Sequence, residues 1–130
     1  GRHMLLLTNN EKFKQIENEL NSNKLNLEYQ DITYIEILEK ARDLIHKGYK
    51  LLTHPLYGSV KPNETLYRSV VLEEAEEFDI QSLLLIEEAI VTAEKFKKNK
   101  MTPNWTESVK DDFRVIDFDL IKKTIDRIFQ

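Results

Sequence analysis

The sequence predicts an α/β fold: a small three-layer β-α-β-α-β parallel sheet, Rossmann-like, with a fourth, antiparallel strand, a long helix and a C-terminal helical segment. Two observations predict this class. Short apolar runs alternate with segments of helical period up to residue 53, and right-handed crossovers through helices place successive strands parallel. A further apolar run, residues 67–72, follows without an intervening helix, so it most simply returns antiparallel to the third strand.

The first two strands are predicted at residues 5–7 and 25–29. Thr8, Asn9 and Asn10 close the first apolar run with side chains that cap helices. The second run alternates apolar and polar residues, which is typical of a half-buried strand and indicates an edge position. Between them, apolar residues recur at the spacing of a helix, at Phe13, Ile16 and Leu20.

The second helix has start and stop signals in its sequence. Thr33 and Glu36 have the spacing of a capping box, in which each side chain bonds a backbone N–H at the helix start. Ile32 and Ile37 occupy the positions of a hydrophobic staple. Gly48 supplies the left-handed residue that commonly ends helices. The helix is therefore expected to begin at Thr33 and to end just before Gly48.

Residues 54–66 connect the third strand, predicted at residues 49–53, to the fourth without any helical period. In the predicted sheet the third strand is central, and open α/β sheets bind ligands at the carboxyl ends of their strands. Long connections in compact domains are commonly functional or disordered, and two prolines in this one argue against disorder. The segment and the end of the first strand therefore give these candidate ligand-binding residues: Thr8, Asn9, Asn10, His54, Ser59, Lys61, Asn63, Glu64 and Arg68.

Two plainer interpretations stay open at this site. The connection could be a surface loop in which proline and asparagine shape turns and the charges are solvated. Thr8, Asn9 and Asn10 could simply cap the following helix, which is the favoured interpretation of those three residues. His54 could act as a general base, but it ranks third because no orienting carboxylate is fixed by the sequence.

A long helix is predicted from Ile80 to about Lys97, with Asp79 as its N-cap. Leu84, Leu85 and Val91 widen its apolar stripe beyond one face. The helix is then either buried on two sides, which is the favoured interpretation, or shared with a partner through these three residues. After Pro103, a short covering turn or helix is expected around residues 105–113, and Asp117 is expected to cap a last helix.

Composition limits the classes of function. Residues 1–4 have the character of a remnant of tag cleavage, which leaves residues 5–130 as one α/β domain. The formal net charge of −4 argues against nucleic acid as a partner.

The chain has no cysteine, so no thiol chemistry is expected. No apolar run is long enough to span a bilayer, so no membrane association is expected, and the cytoplasm is the expected location. No spacing supports a metal or cofactor site, and no nucleophile elbow or phosphate loop is present.

The segment Leu51-Leu52-Thr53-His54-Pro55-Leu56, followed by Gly58-Ser59-Val60-Lys61-Pro62-Asn63-Glu64-Thr65 and Tyr67, resembles the signature of the GrdX family. Members are small proteins encoded beside glycine reductase genes in amino-acid-fermenting anaerobic bacteria. The resemblance extends from the first strand to about Lys98.

The resemblance implies an accessory or regulatory role around the reduction of glycine, sarcosine or betaine, and it transfers no catalytic residue. Two functions from different classes follow. The first is a binding protein for a small anionic metabolite, or for a partner, at residues 54–68. The second is a protein-interaction module that forms a homodimer or binds a glycine reductase component through the helix at residues 80–96. An enzyme that uses His54 is the third alternative.

Overall fold

A computed structural model describes residues 3–56, 66–99 and 105–129, without the side chains of residues 96–99. The described residues form a mixed α/β fold of four strands and four α-helices. In chain order the elements are β1 (Met4–Thr8), a 3-10 helix (Glu11–Ile16) that continues into α1 (Glu17–Ser22), β2 (Leu25–Tyr29), α2 (Tyr34–His46), β3 (Tyr49–Leu51), β4 (Ser69–Glu74), α3 (Ile80–Asn99) and α4 (Glu107–Ile128).

The four strands form one sheet in the order β2-β1-β4-β3. The parallel pairing of β1 with β2, the edge position of β2 and the antiparallel pairing of β3 with β4 are confirmed. The continuous parallel sheet with β3 at its centre is wrong, because β4 lies between β1 and β3 and is antiparallel to both. The three-layer, Rossmann-like arrangement is not confirmed by this strand order.

Burial explains why β4 takes the central position. Its first four residues, 69–72, are all buried, whereas β3 has three half-buried residues. A run that is apolar on both faces is stable only where both faces are covered, and a short half-buried strand is suited to an edge.

The two faces of the sheet contact different hydrophobic clusters. In β1, Leu5 and Leu7 pack with α2 and α3, whereas Leu6 packs with Phe13, Leu20 and α4.

The local signals of α2 are confirmed. Thr33 and Glu36 form both bonds of the capping box, the Glu36 N–H donating to Thr33 Oγ1 at 3.2 Å and the Thr33 N–H to Glu36 Oε1 at 3.0 Å. Gly48 has φ +109°, a conformation that side-chain-bearing residues rarely adopt, and this lets the chain turn from α2 into β3. These elements form where expected because each depends on neighbours only a few residues away.

Two predictions about the last helices are corrected. Asp79 does accept from the Ser82 N–H at the start of α3, but the favoured burial of α3 on two sides is wrong, since Leu84 and Val91 are 58% and 63% exposed. Asp117 caps no helix. Thr106 is the N-cap of α4, a single 22-residue helix in which Asp117 lies midway and is buried.

Candidate functional site at the carboxyl edge of the sheet

A buried polar cluster lies where β1 ends and β4 begins. Ser69 donates its hydroxyl hydrogen to Asp117 Oδ2 at 2.7 Å, and the Ser69 and Thr8 hydroxyl oxygens are also 2.7 Å apart. Since the Ser69 proton is directed at Asp117, the Thr8 hydroxyl must be the donor in its bond with Ser69. Asn10 adds a bond from Nδ2 to Asp117 Oδ2 at 3.0 Å. The carboxylate therefore fastens α4 to the sheet edge.

The capping interpretation holds for Asn10, which is the N-cap of the 3-10 helix. Its side chain accepts from the Lys12 N–H at the start of the 3-10 helix, while Nδ2 also donates to the Arg114 carbonyl at 2.9 Å. The Asn10 N–H donates to Thr8 Oγ1 at 2.9 Å. The hydrogen bonds of Thr8 and Asn10 thus run to protein groups, and a direct contact of either with a ligand stays a prediction.

Asn9 joins three backbone segments at the same edge. Its Nδ2 donates to the carbonyls of Ile32 and Leu66, each at 2.9 Å. Its Oδ1 accepts from the Arg68 N–H at 2.9 Å. Both side-chain donors are used, so Asn9 acts as a structural bridge. It fixes the chain just before Tyr34 relative to the chain at Arg68.

Arg68 and Tyr34 form a buried pair beside this bridge. The Arg68 Cζ lies 4.7 Å from the centroid of the Tyr34 ring, and the two residues are 3% and 7% exposed. Burial raises the pKa of Tyr34, and the neighbouring Arg68 partly opposes that rise. The phenol is therefore protonated at neutral pH and is a hydrogen-bond donor.

The Tyr34 hydroxyl is buried, and it interacts with the neighbouring Arg68 side chain. No sequence pattern marks Tyr34, which lies in the first turn of α2. Only the folded structure brings it against Arg68.

A second arginine at this edge has a different environment. Arg114 lies with its Cζ 5.2 Å from the centroid of the Tyr67 ring. Three carboxylates lie 3.5–3.9 Å from its guanidinium nitrogens, those of Glu11, Glu107 and Asp111. Burial raises the pKa of Tyr67, and Arg114 opposes that rise. The charge of Arg114 is therefore balanced within the protein.

The candidate residues between β3 and β4 are only partly described. His54 is exposed, and its Nδ1 accepts from the Leu56 N–H at 3.0 Å, which shapes the local turn. Its use as a general base stays a prediction. Arg68, the last candidate in this segment, is the one that the structure brings to the polar edge. The other four candidates lie outside the described residues: Ser59, Lys61, Asn63 and Glu64.

Comparison with known families identifies the chain. A family model described as GrdX-like protein matches residues 5–126. The chain belongs to the GrdX-like family. The match extends past Lys98, to which the sequence resemblance reached, and includes most of α4. No curated protein and no solved structure matches the chain.

The outer face of α3 is the second candidate site of this GrdX-like protein. Leu84 and Val91 are exposed and Leu85 is half-buried, so two of the three residues expected at an interface lie at the surface. Phe78 and Ile80 extend the exposed apolar surface towards the start of the helix.

Neither a membrane-spanning helix nor a cluster of metal-ligating side chains is present among the described residues. None of the helices in this part of the chain combines the length and the hydropathy needed to cross a membrane. Over the same residues, no group of three or more histidine, aspartate or glutamate side chains is placed to hold a metal ion.

Proposed function

We propose that this GrdX-like protein is a cytoplasmic accessory or regulatory protein of the glycine reductase system that binds a small anionic metabolite, or a partner, at residues 54–68 and the adjoining sheet edge. The observation that carries the proposal is Arg68. It is a buried cation at the end of this segment, in a chain whose net charge is −4. A guanidinium matches the planar geometry of carboxylate and phosphate groups, which makes it a suitable group for recognising an anion at this edge.

Two further observations support the proposal. The family match covers residues 5–126, and the resemblance to this family implies a role around the reduction of glycine, sarcosine or betaine. The edge at which Arg68 lies is rigid, because Asn9 fastens the Arg68 backbone to the end of β1 and Asp117 fastens α4 to the same strand end through Asn10. A rigid frame lowers the entropic cost of binding a small ligand.

The test of anion binding is a thermal-unfolding measurement with glycine, sarcosine, betaine and phosphate. A ligand that binds only the folded state stabilises it by RT ln(1 + [L]/Kd) and so raises the melting temperature. We expect Lys61→Ala to abolish this rise, with Lys24→Ala, an exposed lysine between α1 and β2, as the control. An unchanged rise in Lys61→Ala would place the site elsewhere.

The test of the accessory role is co-purification. The tagged protein, recovered from cells grown on glycine, is expected to retain glycine reductase components. If no component is retained and no anion raises the melting temperature, the proposed function is wrong in both parts.

A second candidate function is a protein-interaction module, favoured by the exposure of Leu84 and Val91 on α3. Light scattering would detect a homodimer, and a pull-down would detect a bound reductase component. The double substitution Leu84→Ser and Val91→Ser should remove either association. Ile116→Ser, on α4 and 42% exposed, is the matched control. A monomeric protein that recovers no partner would exclude this function.

A further inference from the structure

The outer face of α3 carries large apolar side chains along its length. Ile80, Leu84 and Val91 are each more than half exposed. At 3.6 residues per turn these three residues lie within about 40° of one line along the helix. Phe78, just before the helix, is 48% exposed. An apolar surface of this kind commonly marks a site of protein–protein contact.

Carboxylates flank this apolar line on both sides. Glu87 and Glu94 lie on one side of the line and Glu88 on the other, and all three are exposed. Arg42 of α2 donates to Glu87 at 3.1 Å and also lies 4.0 Å from Glu39, so one guanidinium stands against two carboxylates. Residues 77–94 contain no lysine or arginine. The surroundings of the apolar line are therefore acidic.

This charge pattern disfavours a second copy of the chain as the partner. If two α3 helices packed antiparallel, with Leu84 of each against Val91 of the other, the middle of the contact would fall between Glu87 and Glu88 of both copies. Parallel packing would set each glutamate against its own counterpart. Like charges that face each other weaken an association. A different chain with basic residues avoids this repulsion.

We propose that the outer face of α3 binds a basic amphipathic helix of a partner protein. Apolar side chains of that helix cover Leu84 and Val91, and its lysine and arginine side chains lie beside the flanking glutamates. The backbone groups of α3 are bonded within the helix, so this face offers no pairing for an extended strand. Leu84 and Val91 are two turns apart, about 10.5 Å, which matches residues i and i+7 of a partner helix.

The inner face of α3 holds the helix in place. Ile86, Ala89, Ile90 and Ala93 are buried in the cluster that also includes α2. Near the start of the helix, Ser82 Oγ accepts from the Leu51 N–H of β3 at 2.8 Å. The outer side chains are thus presented by a fixed helix, which lowers the entropic cost of binding. The inference rests on the second candidate function, the interaction module, and adds the chemistry of the partner.

The experiment titrates the full chain with two synthetic helical peptides of about 18 residues, long enough for several helical turns. Both peptides have leucine on one face; one has lysine on the opposite face and the other has glutamate there. Fluorescence anisotropy of a dye on the peptide measures binding. The wild type should bind the lysine peptide at least about tenfold more tightly than the glutamate peptide. In about 0.5 M NaCl this preference should shrink, because salt screens exposed charges.

Charge reversal on α3 tests the flanking carboxylates. The double substitution Glu88→Lys and Glu94→Lys leaves the ion pair of Arg42 with Glu87 in place. This variant should prefer the glutamate peptide to the lysine peptide. Both substituted residues are exposed, so the urea midpoint of unfolding should stay close to that of the wild type.

The matched control reverses two charges on α4. Asp112 and Asp119 are exposed and lie on either side of the exposed Ile116. The double substitution Asp112→Lys and Asp119→Lys changes the net charge by the same amount and should keep the wild-type preference for the lysine peptide. An equal loss of preference in the two double variants would overturn the proposal, because the peptide would then respond to net charge and not to α3.

Two results for the wild type would also overturn the proposal. One is binding of the lysine peptide that is absent up to about 1 mM or equal to that of the glutamate peptide. The other is a dimer, seen by light scattering, that the double substitution Leu84→Ser and Val91→Ser dissociates, since a second copy would then cover this face.

The pull-down distinguishes this inference from the second candidate function. If Leu84→Ser with Val91→Ser loses a glycine reductase component that Glu88→Lys with Glu94→Lys retains as well as the wild type does, the interaction module stands and the basic partner is wrong. If the wild type retains no component, forms no dimer and binds neither peptide, both are wrong.

Discussion

The two arginine–tyrosine pairs at the carboxyl edge have the same chemistry and different surroundings. Arg114, on α4, lies near the Tyr67 ring among three carboxylates, and its side chain is 19% exposed. Arg68 lies near the Tyr34 ring, is 3% exposed, and is held through its backbone by Asn9. A contact between a guanidinium and an aromatic ring therefore does not by itself indicate function. Deeper burial is what distinguishes the Tyr34–Arg68 pair.

The largest effect is expected from breaking the frame of the buried pair. Asn9→Ala would remove three hydrogen bonds, to Ile32, Leu66 and Arg68, and should lower the free energy of unfolding by about 3 kcal/mol, near 1 kcal/mol for each bond. Urea denaturation measures the change. Asn23→Ala, exposed and bonded only weakly to the Glu19 carbonyl, should change it by less than about 0.5 kcal/mol. Equal effects of the two substitutions would contradict the bridging role of Asn9.

The next effect compares the two arginines directly. Arg68→Met should cost about 2 kcal/mol, because a cation–π contact is strong where water is excluded. Arg114→Met should cost less than about 1 kcal/mol, as expected for ion pairs near the surface. In about 1 M NaCl the cost of Arg114→Met should fall towards zero and the cost of Arg68→Met should persist, because salt screens exposed charges. If salt reduced both costs alike, the proposed difference between the pairs would be lost.

The smallest effect concerns pH. The pKa of Tyr34 in the folded protein is raised above its usual value of 10.0, chiefly by burial. Well below pH 10 the Tyr34 phenol is protonated in both the folded and the unfolded protein, and it contributes no pH dependence. As pH rises, the unfolded chain loses this proton first. The free energy of unfolding therefore falls until the pH passes the pKa of Tyr34 in the folded protein. Tyr34→Phe should make this alkaline fall shallower than Tyr29→Phe does, because Tyr29 is only half-buried. Urea midpoints between about pH 9 and pH 11 would show it, and identical slopes would contradict it.

The sequence predicts most reliably the features that depend on near neighbours. The start of α2 follows from Thr33 and Glu36, three residues apart, and the turn at Gly48 follows from one backbone conformation. The strand order is a long-range property. Residues 69–72 are buried on both faces because β4 lies between β1 and β3. No pattern of neighbouring residues encodes this strand order.

The candidate site divides in the same way. The sequence predicts three candidate residues at this edge from their positions: Asn9 and Asn10 follow β1, and Arg68 precedes β4. In the structure the two asparagines bond other protein groups and support the edge. Tyr34 is missed, because its contact with Arg68 joins residues that are far apart in the sequence. Asp117 is wrongly predicted from the sequence to be a helix cap, whereas it lies buried within α4. A signal was available, since Asp117, Ile121 and Ile125 share one buried face of α4 at intervals of four, and a carboxylate there must bond inward.

The bond from Asn10 to Asp117 joins residues 107 positions apart. Such a contact requires closure of nearly the whole chain, and contacts of this kind slow folding. During synthesis, β1, β2 and α2 can emerge from the ribosome and pair while the buried hydroxyls of Thr8 and Ser69 still lack their carboxylate. The carboxyl edge is therefore completed last, and a nascent chain arrested before residue 117 should carry the apolar cluster of α2 and α3 while the polar edge and the apolar cluster under α4 are both unfinished.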